Sequence, residues 1–480
     1  MRLSDLIEDE RCAAGLSGDP EVSGVAYRSD AVVPGDVFFC IAGFRHDGHD
    51  FAADAVERGA VAVVGSRALE VGVPCVVVPD VRRALAMAAS RVHGDPTATL
   101  DVVGITGTNG KTTTTYLTDS IMRAAGRVTG LVGTVETRIG PTRLPSSRTT
   151  PESADLQALF SDMAAAGVTG VSMEVSSHAI DLHRVDGVRF AVAAFTNLTQ
   201  DHLDYHKTLE EYWTVKRRLF TELRVSDRVV NIDDPRGATL AGETLARWTV
   251  GRDPRALVRA ADEEYGPVST SFTLITPCGG RRVTLPLAGA YNVSNALVAA
   301  AAALALGIGL DTVVAGLESA PQVPGRLERI DEGQPFSVLV DYAHTPDSLA
   351  KAIAAVREVT PGRVITVFGC GGDRDPEKRP LMGRAAGEQS DAVVVTSDNP
   401  RSEDPVGIIL RIEDGLRETG AAYTVEVDRR AAIARALDMA HAGDAVLVAG
   451  KGHEDYQIFS DRTVHFDDRE VVREELRARC

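Results

Sequence analysis

Residues 101–113 read Asp101-Val102-Val103-Gly104-Ile105-Thr106-Gly107-Thr108-Asn109-Gly110-Lys111-Thr112-Thr113. This stretch decides the fold. An apolar β run, Asp101–Thr106, gives way to a glycine-bearing turn. Lys111-Thr112-Thr113 then opens a helix whose apolar face carries Leu117, Ile121 and Ala125 and which Gly126 ends. Glycines let the backbone curl so that successive N–H groups converge on one phosphate, and the helix N-terminus adds its partial positive charge. Lys111 is placed to reach the outer phosphates and Thr112 to offer a hydroxyl to Mg²⁺. The spacing departs from strict G-x-x-x-x-G-K-[ST], because position 105 is Ile. The competing interpretation is a glycine-rich turn with an incidental lysine, and the strand before and helix after favour the phosphate loop. Taken alone, the loop specifies a nucleotide and leaves the reaction open.

Working outward, the chain separates into three regions. Residues 1–96 hold short strands, Val61–Val64 and Cys75–Val78, and end at the turn-rich His93-Gly94-Asp95-Pro96. Residues 97–323 follow the phosphate loop. Residues 324–480 alternate strands (Ser337–Val340, Val364–Phe368, Ala392–Thr396, Tyr423–Val427, Ala445–Val448) with helical stretches such as Ser348–Val359. Continuous Val/Ile/Ala strands alternating with helices predict parallel sheets covered on both faces, an α/β fold. At 480 residues, several domains are expected.

Composition narrows the class. With 51 Lys and Arg against 68 Asp and Glu, the net charge of −17 argues against a general nucleic-acid or anionic-membrane binder. A local basic cluster for an anionic substrate is still compatible. The six cysteines form no C-x-x-C pair, which predicts reduced thiols rather than disulfides or structural zinc. Residues 1–12 are too acidic for a signal peptide. The longest apolar run, Ala296–Leu306, is too short to span a bilayer. The expectation is a soluble, cytoplasmic monomer with no nucleic-acid partner and no membrane insertion.

Further polar residues follow apolar strands. Val171–Val175 delivers Glu174, and a strand-end carboxylate beside a phosphate loop is a natural Mg²⁺ ligand; an exposed strand-end glutamate is the plain alternative. Phe190–Phe195 runs directly into Thr196-Asn197-Leu198-Thr199-Gln200-Asp201-His202-Leu203-Asp204-Tyr205-His206, too polar a set for an ordinary solvated loop. Lys216 lies on the next helical stretch, where a lone lysine is ordinarily a surface charge. Asn292 and Asn295 share a helix face at i, i+3 and suit a purine edge, with N-cap duty for one of them as the alternative. In the last region four polar clusters sit at strand carboxyl ends: 341–346, 369–375, 398–401 and 450–455. Open parallel sheets bind ligands there.

Gly107-Thr108-Asn109-Gly110-Lys111-Thr112-Thr113 resembles the loop of the Mur ligase family and its folylpolyglutamate synthetase relatives, and the later motifs match that family in order over nearly the whole chain. The resemblance implies a small N-terminal α/β domain (1–96) for a UDP-linked substrate, a central P-loop ATPase-like parallel-sheet domain (97–323) for ATP, and a C-terminal Rossmann-like domain (324–480) for an amino acid. It implies that Glu174 and His202 bind magnesium with Thr112. Lys216 would be carbamylated by CO₂, turning a cation that repels Mg²⁺ into an anion that binds it. Catalysis would fall to Lys111, Lys216 and His202. Gly107, Thr108, Asn109, Gly110, Lys111, Thr112, Thr113, Asn292, Asn295, Arg326, Asp341, Tyr342 and His344 would meet ATP.

In the same way Asp398-Asn399-Pro400-Arg401 looks like the specificity motif of diaminopimelate-adding members, with Arg374, Gly450 and Glu454 as the remaining amino-acid contacts. The chemistry agrees: the distal end of diaminopimelate presents a carboxylate for an arginine fork and an ammonium for a glutamate. Ser29, Thr149, Thr150, Ser176 and Arg184 match contacts to the UDP-muramyl peptide. Asp30 departs from the family's usual Arg, and Leu182 stands where some members carry Gln.

The implied reaction is ATP-dependent amide ligation in peptidoglycan synthesis. The D-glutamate carboxylate of UDP-MurNAc-L-Ala-D-Glu is phosphorylated, and meso-diaminopimelate attacks the acyl phosphate, giving ADP and phosphate. Three rivals share parts of this pattern. Folate as acceptor would single out a folylpolyglutamate synthetase, and an amino-acid screen a paralogous ligase using L-lysine or a secondary-metabolite acceptor. A non-catalytic P-loop switch would have no use for Glu174, His202 and Lys216 together.

Overall fold

The computed structural model describes residues 1–7, 18–43, 46–146 and 148–479, with Leu203 and Asp204 described by backbone alone. Three sheets and one hairpin form among them. The first sheet is four parallel strands, β1 (Gly24–Ala26), β2 (Asp36–Phe39), β3 (Ala62–Gly65) and β4 (Cys75–Val77), in that order.

The second sheet has eleven strands: β5 (Asp101–Thr106), β6 (Thr129–Val132), β7 (Thr137–Ile139), β8 (Thr142–Leu144), β9 (Gly170–Glu174), β10 (Arg189–Phe195), β11 (Arg224–Asn231), β12 (Trp248–Gly251), β13 (Val258–Tyr265), β14 (Thr270–Thr276) and β15 (Gly279–Leu285). Their order is β15-β14-β13-β12-β11-β10-β5-β9-β6-β7-β8. β13 to β6 run parallel, while β14–β15 and β7–β8 add antiparallel edges. The expectation of a parallel sheet therefore holds only for the middle. The edges are more exposed: β14 buries every second residue, as a sheet with one solvated face requires, and β8 is exposed throughout.

The third sheet, β16 (Glu328–Ile330), β17 (Ser337–Asp341), β18 (Val364–Phe368), β19 (Ala392–Val395), β20 (Tyr423–Val425) and β21 (Ala445–Ala449), is ordered β16-β17-β21-β18-β19-β20 and is parallel except at β16. The hairpin β22 (Tyr456–Ile458) and β23 (Thr463–His465) follows. The expected boundaries at 96/97 and 323/324 fall between sheets.

Both faces of the second sheet are covered. Helices Lys111–Ala124, Ala290–Ala305 and Leu310–Glu318 pack on one, through Leu117, Ile121 and Val313. Helices Ser153–Ala165 and Leu209–Thr221 pack on the other, through Phe160, Tyr212 and Phe220. The longest apolar run of the sequence is thus a core helix, Ala296–Ala303 being buried throughout. No helix among the described residues is long and apolar enough to cross a membrane.

Beside the third sheet, Arg429 and Asp468, the first residues of helices Arg429–Met439 and Asp468–Arg477, are both fully buried and form a bidentate pair at 2.7 Å for each bond. Arg429→Ala strands a buried carboxylate and is expected to cost about 3–5 kcal/mol, read as a lowered urea midpoint. Arg429→Met combined with Asp468→Leu should recover most of that loss.

Candidate active site

β5, β9 and β10 are neighbours, so their carboxyl ends deliver residues 107–111, 174–178 and 196–202 into one crevice. Residues 341–345, after β17, and the head of helix Pro346–Val359 close its far side. The cleft encloses about 630 Å³.

The loop's shape is dictated by contacts to the two residues that follow β10. Thr196 Oγ1 and Asn197 Nδ2 donate to Asn109 O at 2.7 and 3.1 Å, and Asn109 N donates to Asn197 Oδ1 at 3.0 Å. Glycine is required at two points. Gly107 (φ +150°) would place a Cβ 1.9 Å from Thr196 Oγ1, and Gly110 (φ +85°) one 2.2 Å from Asn295 Oδ1. Lys111 Nζ folds over the loop, donating to Gly107 O (2.9 Å) and Thr108 O (2.8 Å). Burial holds its pKa below the usual lysine range, against the carboxylates of Glu174 and Asp201.

Glu174 is 1% exposed, which removes the surface-glutamate alternative. Its Oε1 accepts from Thr112 Oγ1 (3.0 Å) and Thr134 N (2.8 Å), and its Oε2 from Thr134 Oγ1 (3.1 Å). Among the described residues no cluster of three or more His, Cys, Asp or Glu could by itself hold a metal. Magnesium does not need one. It keeps waters and takes one or two carboxylates plus substrate phosphate, and two hard oxygens 3.0 Å apart beside a phosphate loop fit that demand.

Lys216 is also 1% exposed and is no surface charge. Its Nζ donates to Gly107 O at 2.9 Å and lies 4.5 Å over the Tyr212 ring. Burial lowers its pKa well below the ordinary value, the charge of Lys111 adds to this, and Asp201 opposes it. The side-chain nitrogens of Lys111 and Lys216 therefore share one carbonyl. His202, in the left-handed region (φ +53°), sets its ring 4.9 Å from His178 and its Nε2 3.5 Å from Asp201 Oδ2. Burial pulls its pKa down, and Asp201 resists.

Helix Ala290–Ala305 brings Asn295 to the cleft but not Asn292. Asn295 Nδ2 donates to Asn292 Oδ1 (3.0 Å), and Asn292 turns back to Ala288 O (2.8 Å). The pair does not present two amides side by side, because Asn292 is satisfied within its own turn. Asp233, Asp234, Pro235, Ser294 and Ala352 complete that wall. Sequence reasoning missed them, although Asp234-Pro235 opens a helix at the carboxyl end of β11.

Arg326 bridges the halves. Its Nη2 donates to Thr112 Oγ1 (3.0 Å), its guanidinium stacks 4.8 Å over Tyr342, and its Nε is buried without a partner. An orphaned guanidinium donor beside the phosphate loop suits an anion. Asp341 accepts from Leu327 N (2.7 Å), and burial raises its pKa against Arg326. His344 bonds Tyr342 O through Nδ1 (2.8 Å), and burial lowers its pKa. Asp347, another residue missed, accepts from Asn109 Nδ2 and Thr199 Oγ1, each at 3.0 Å.

Thr149, Thr150, Ser176 and Arg184 gather at a third side. Thr149 Oγ1 meets Thr134 Oγ1 (3.0 Å), Thr150 Oγ1 donates to Glu174 O (2.9 Å) and accepts from Ser176 N (3.2 Å), and Arg184 Nη1 donates to Thr150 O (3.1 Å). Arg184 shares Glu152 with Arg82 and Arg148, at 2.9, 3.1 and 2.6 Å. Neither of the latter two was anticipated. Ser29, in the short helix Ser29–Ala31, does not line the cleft, and Asp30 is held by Arg28 at 2.5 Å.

The motif at 398–401 forms a separate receptacle. Asn399 Nδ2 donates to Glu454 Oε2 (2.8 Å), Arg401 Nη1 to Gly372 O (2.7 Å), and Pro400 O accepts from Glu403 N (3.0 Å). Gly450 (φ +116°) lies against Asp398, where a Cβ would be 2.6 Å from Oδ2. Arg374 Nη1 donates to Asp373 O (3.0 Å), and both its stem and Arg401 Nη1 lie beside Gly371. Tyr342, which lines the cleft, joins the two sites, its Oη donating to Glu454 Oε1 at 3.3 Å.

Comparison with known proteins adds three family matches. They are the Mur ligase middle domain over residues 105–303, the Mur ligase glutamate ligase domain over 325–452, and the Mur ligase family catalytic domain over 21–93. The UDP-N-acetylmuramoyl-L-alanyl-D-glutamate--2,6-diaminopimelate ligase of Geobacillus thermodenitrificans is 49% identical over 470 residues, 96% of each chain. Its counterpart in Solibacter usitatus is 49% identical over 99% of this chain and 98% of its own. A solved structure of a ligase of that name superposes with a TM-score of 0.72 at 32% identity, covering 100% of this chain and 99% of its own. The MurF ligase of Thermotoga maritima in complex with ADP shares the fold, with a TM-score of 0.65, 21% identity, and 96% and 99% coverage.

Proposed function

The chain belongs to the Mur ligase family, and from that premise we propose that it adds meso-diaminopimelate to the D-glutamate carboxylate of UDP-MurNAc-L-Ala-D-Glu, using ATP, in peptidoglycan synthesis. The observation that carries the specificity is the receptacle in which Asn399, Arg401, Gly450 and Glu454 converge one tyrosine away from the nucleotide cleft. Phosphate release measured with UDP-MurNAc-L-Ala-D-Glu, with and without meso-diaminopimelate, tests it. Release that ignores the amino acid, or that needs a folate acceptor, overturns it.

In the first step a carboxylate oxygen of D-glutamate attacks the γ-phosphorus, the P–O bond to ADP breaks, and an acyl phosphate forms. In the second the free amine attacks the acyl carbon, and the tetrahedral adduct expels inorganic phosphate and loses a proton. Activation is needed because a carboxylate has no adequate leaving group of its own. Lys111 and the backbone N–H groups of residues 107–112 neutralise the transferring phosphoryl group, and Arg326, with its unpartnered Nε, adds a cation from the third region. Thr112 and Glu174, with His202, would hold magnesium, whose charge lowers the barrier to transfer. Closure of the third region over the cleft keeps water from the acyl phosphate.

The three sheets support division into a UDP-substrate domain (1–96), an ATP domain (97–323) and an amino-acid domain (324–480). The reading also includes a monomer working in the cytoplasm.

Carbamylation of Lys216 belongs to the same proposal. The neutral amine attacks CO₂, an N–C bond forms, and one proton leaves. A buried amine whose pKa is lowered by burial and by Lys111 gives up its proton more readily than a surface lysine, which favours the form that attacks CO₂. Lys216→Ala should lower turnover by about 10²–10³-fold, the scale of losing one preorganised electrostatic group, and excess acetate or formate should restore part of it. Full activity in Lys216→Arg would end the carbamate idea.

A further inference from the structure

We propose that Lys451 is a positioning residue for the amino-acid substrate: its buried ammonium fixes Asn399 and Glu454 in the orientation that receives the ligand, without touching the ligand itself. The inference rests on the reading of residues 398–401 and Glu454 as the amino-acid receptacle. Lys451 has no exposed side-chain surface. Its Nζ reaches three acceptors: Asn399 Oδ1 at 3.4 Å, Glu454 Oε2 at 3.4 Å, and the carbonyl of Tyr456, whose ring lies 5.4 Å away. An ammonium has three donors, so all are spent on the walls of the receptacle.

The consequences fall on the two residues expected to read the substrate. Asn399 Oδ1 takes Lys451 and the N–H of Ile458 (2.9 Å), which forces Nδ2 toward Glu454 Oε2 at 2.8 Å. Glu454 is then held on one oxygen by Lys451 and Asn399 and on the other by Tyr342 (3.3 Å), while 16% of its side chain stays open. A substrate ammonium therefore meets a carboxylate already oriented. Burial and Asp398 push Glu454 toward its protonated form, and Lys451 with Asn399 opposes that. An apolar side chain would fill this volume without the desolvation cost of a buried charge. Spending the charge wholly on receptacle groups marks it as functional.

Lys451→Met keeps the stem and removes the charge. KM for meso-diaminopimelate should rise at least tenfold, while KM for ATP and for the UDP-substrate should stay within twofold. Because Lys451→Met leaves Glu454 without its cation, Lys451→Met/Glu454→Gln is measured beside Glu454→Gln. If Lys451 acts through Glu454, the double variant loses no more than Glu454→Gln alone. An unchanged KM for diaminopimelate, an equal rise in all three KM values, or losses that multiply in the double variant would overturn the proposal. A parent enzyme that ignores diaminopimelate would instead overturn the functional reading beneath it.

Discussion

Lys111→Ala is expected to lower the rate of ligation by about 10³–10⁵-fold, the range over which a single transition-state cation acts in phosphoryl transfer. Charge builds on the equatorial oxygens as the phosphoryl group leaves ADP, and a fixed cation there stabilises it without reorganisation. In the structure the Lys111 ammonium rests on Gly107 O and Thr108 O, 2.9 and 2.8 Å away. It is thus held over the loop proposed to cradle the phosphates. Removing it leaves the backbone donors and the Arg326 guanidinium, which is held at Thr112 Oγ1, and takes one of the two cations away from the proposed phosphate site. The loss should appear in single-turnover acyl-phosphate formation, with nucleotide binding weakened far less. A folded Lys111→Ala protein with near-parental turnover would take ATP chemistry away from this loop. The same variant also bears on Lys216, whose amine loses a repelling neighbour on the shared Gly107 carbonyl.

How far the sequence discloses such arrangements depends on the length of chain that separates the partners. The phosphate loop is legible because β5, its glycines and its helix are contiguous. β18 is legible because an apolar run bounded by turns matches a buried strand residue for residue, Val364–Phe368. Glu174 and Lys216 are legible as candidates, but only the fold shows both to be buried. Asn292 and Asn295 illustrate the limit. Helical spacing puts both on one face, whereas the hydrogen bond from Asn292 to Ala288 O decides that one faces the cleft and the other braces it. Contacts across regions leave no local trace. Asp347 meets Asn109 across 238 positions, and Arg82 meets Glu152 across 70. The antiparallel edges β7–β8 and β14–β15 escape for a different reason: they are partly or wholly solvated and lack the continuous apolar runs that mark the middle of the sheet.

The specificity reading makes the sharpest demand. meso-Diaminopimelate should be preferred over L-lysine by roughly 10⁴ or more in kcat/KM, because a site built to pair a polar group rejects an analogue that lacks it. Lysine keeps the distal ammonium, which suits Glu454, and lacks the distal carboxylate, which leaves the Arg401 guanidinium without its fork partner. Arg401 is set for that task by its backbone. It occupies the left-handed region (φ +51°), its N–H is tied to Ile458 O at 3.0 Å, and Nη1 rests on Gly372 O at 2.7 Å, leaving other donors of the fork for a ligand. Arg401→Ala should therefore lose most activity with diaminopimelate. Binding of ATP and of the UDP-substrate should persist, since the cleft that holds Lys111, Glu174 and Arg326 does not include Arg401. The measurement is the ratio of kcat/KM for the two amino acids, in the parent and in Arg401→Ala. The ratio should collapse toward unity in the variant, because the loss falls on diaminopimelate and lysine never engaged the fork. A parent enzyme that uses lysine as well as diaminopimelate would leave a Mur-type ligase whose amino acid is set elsewhere than at residues 398–401.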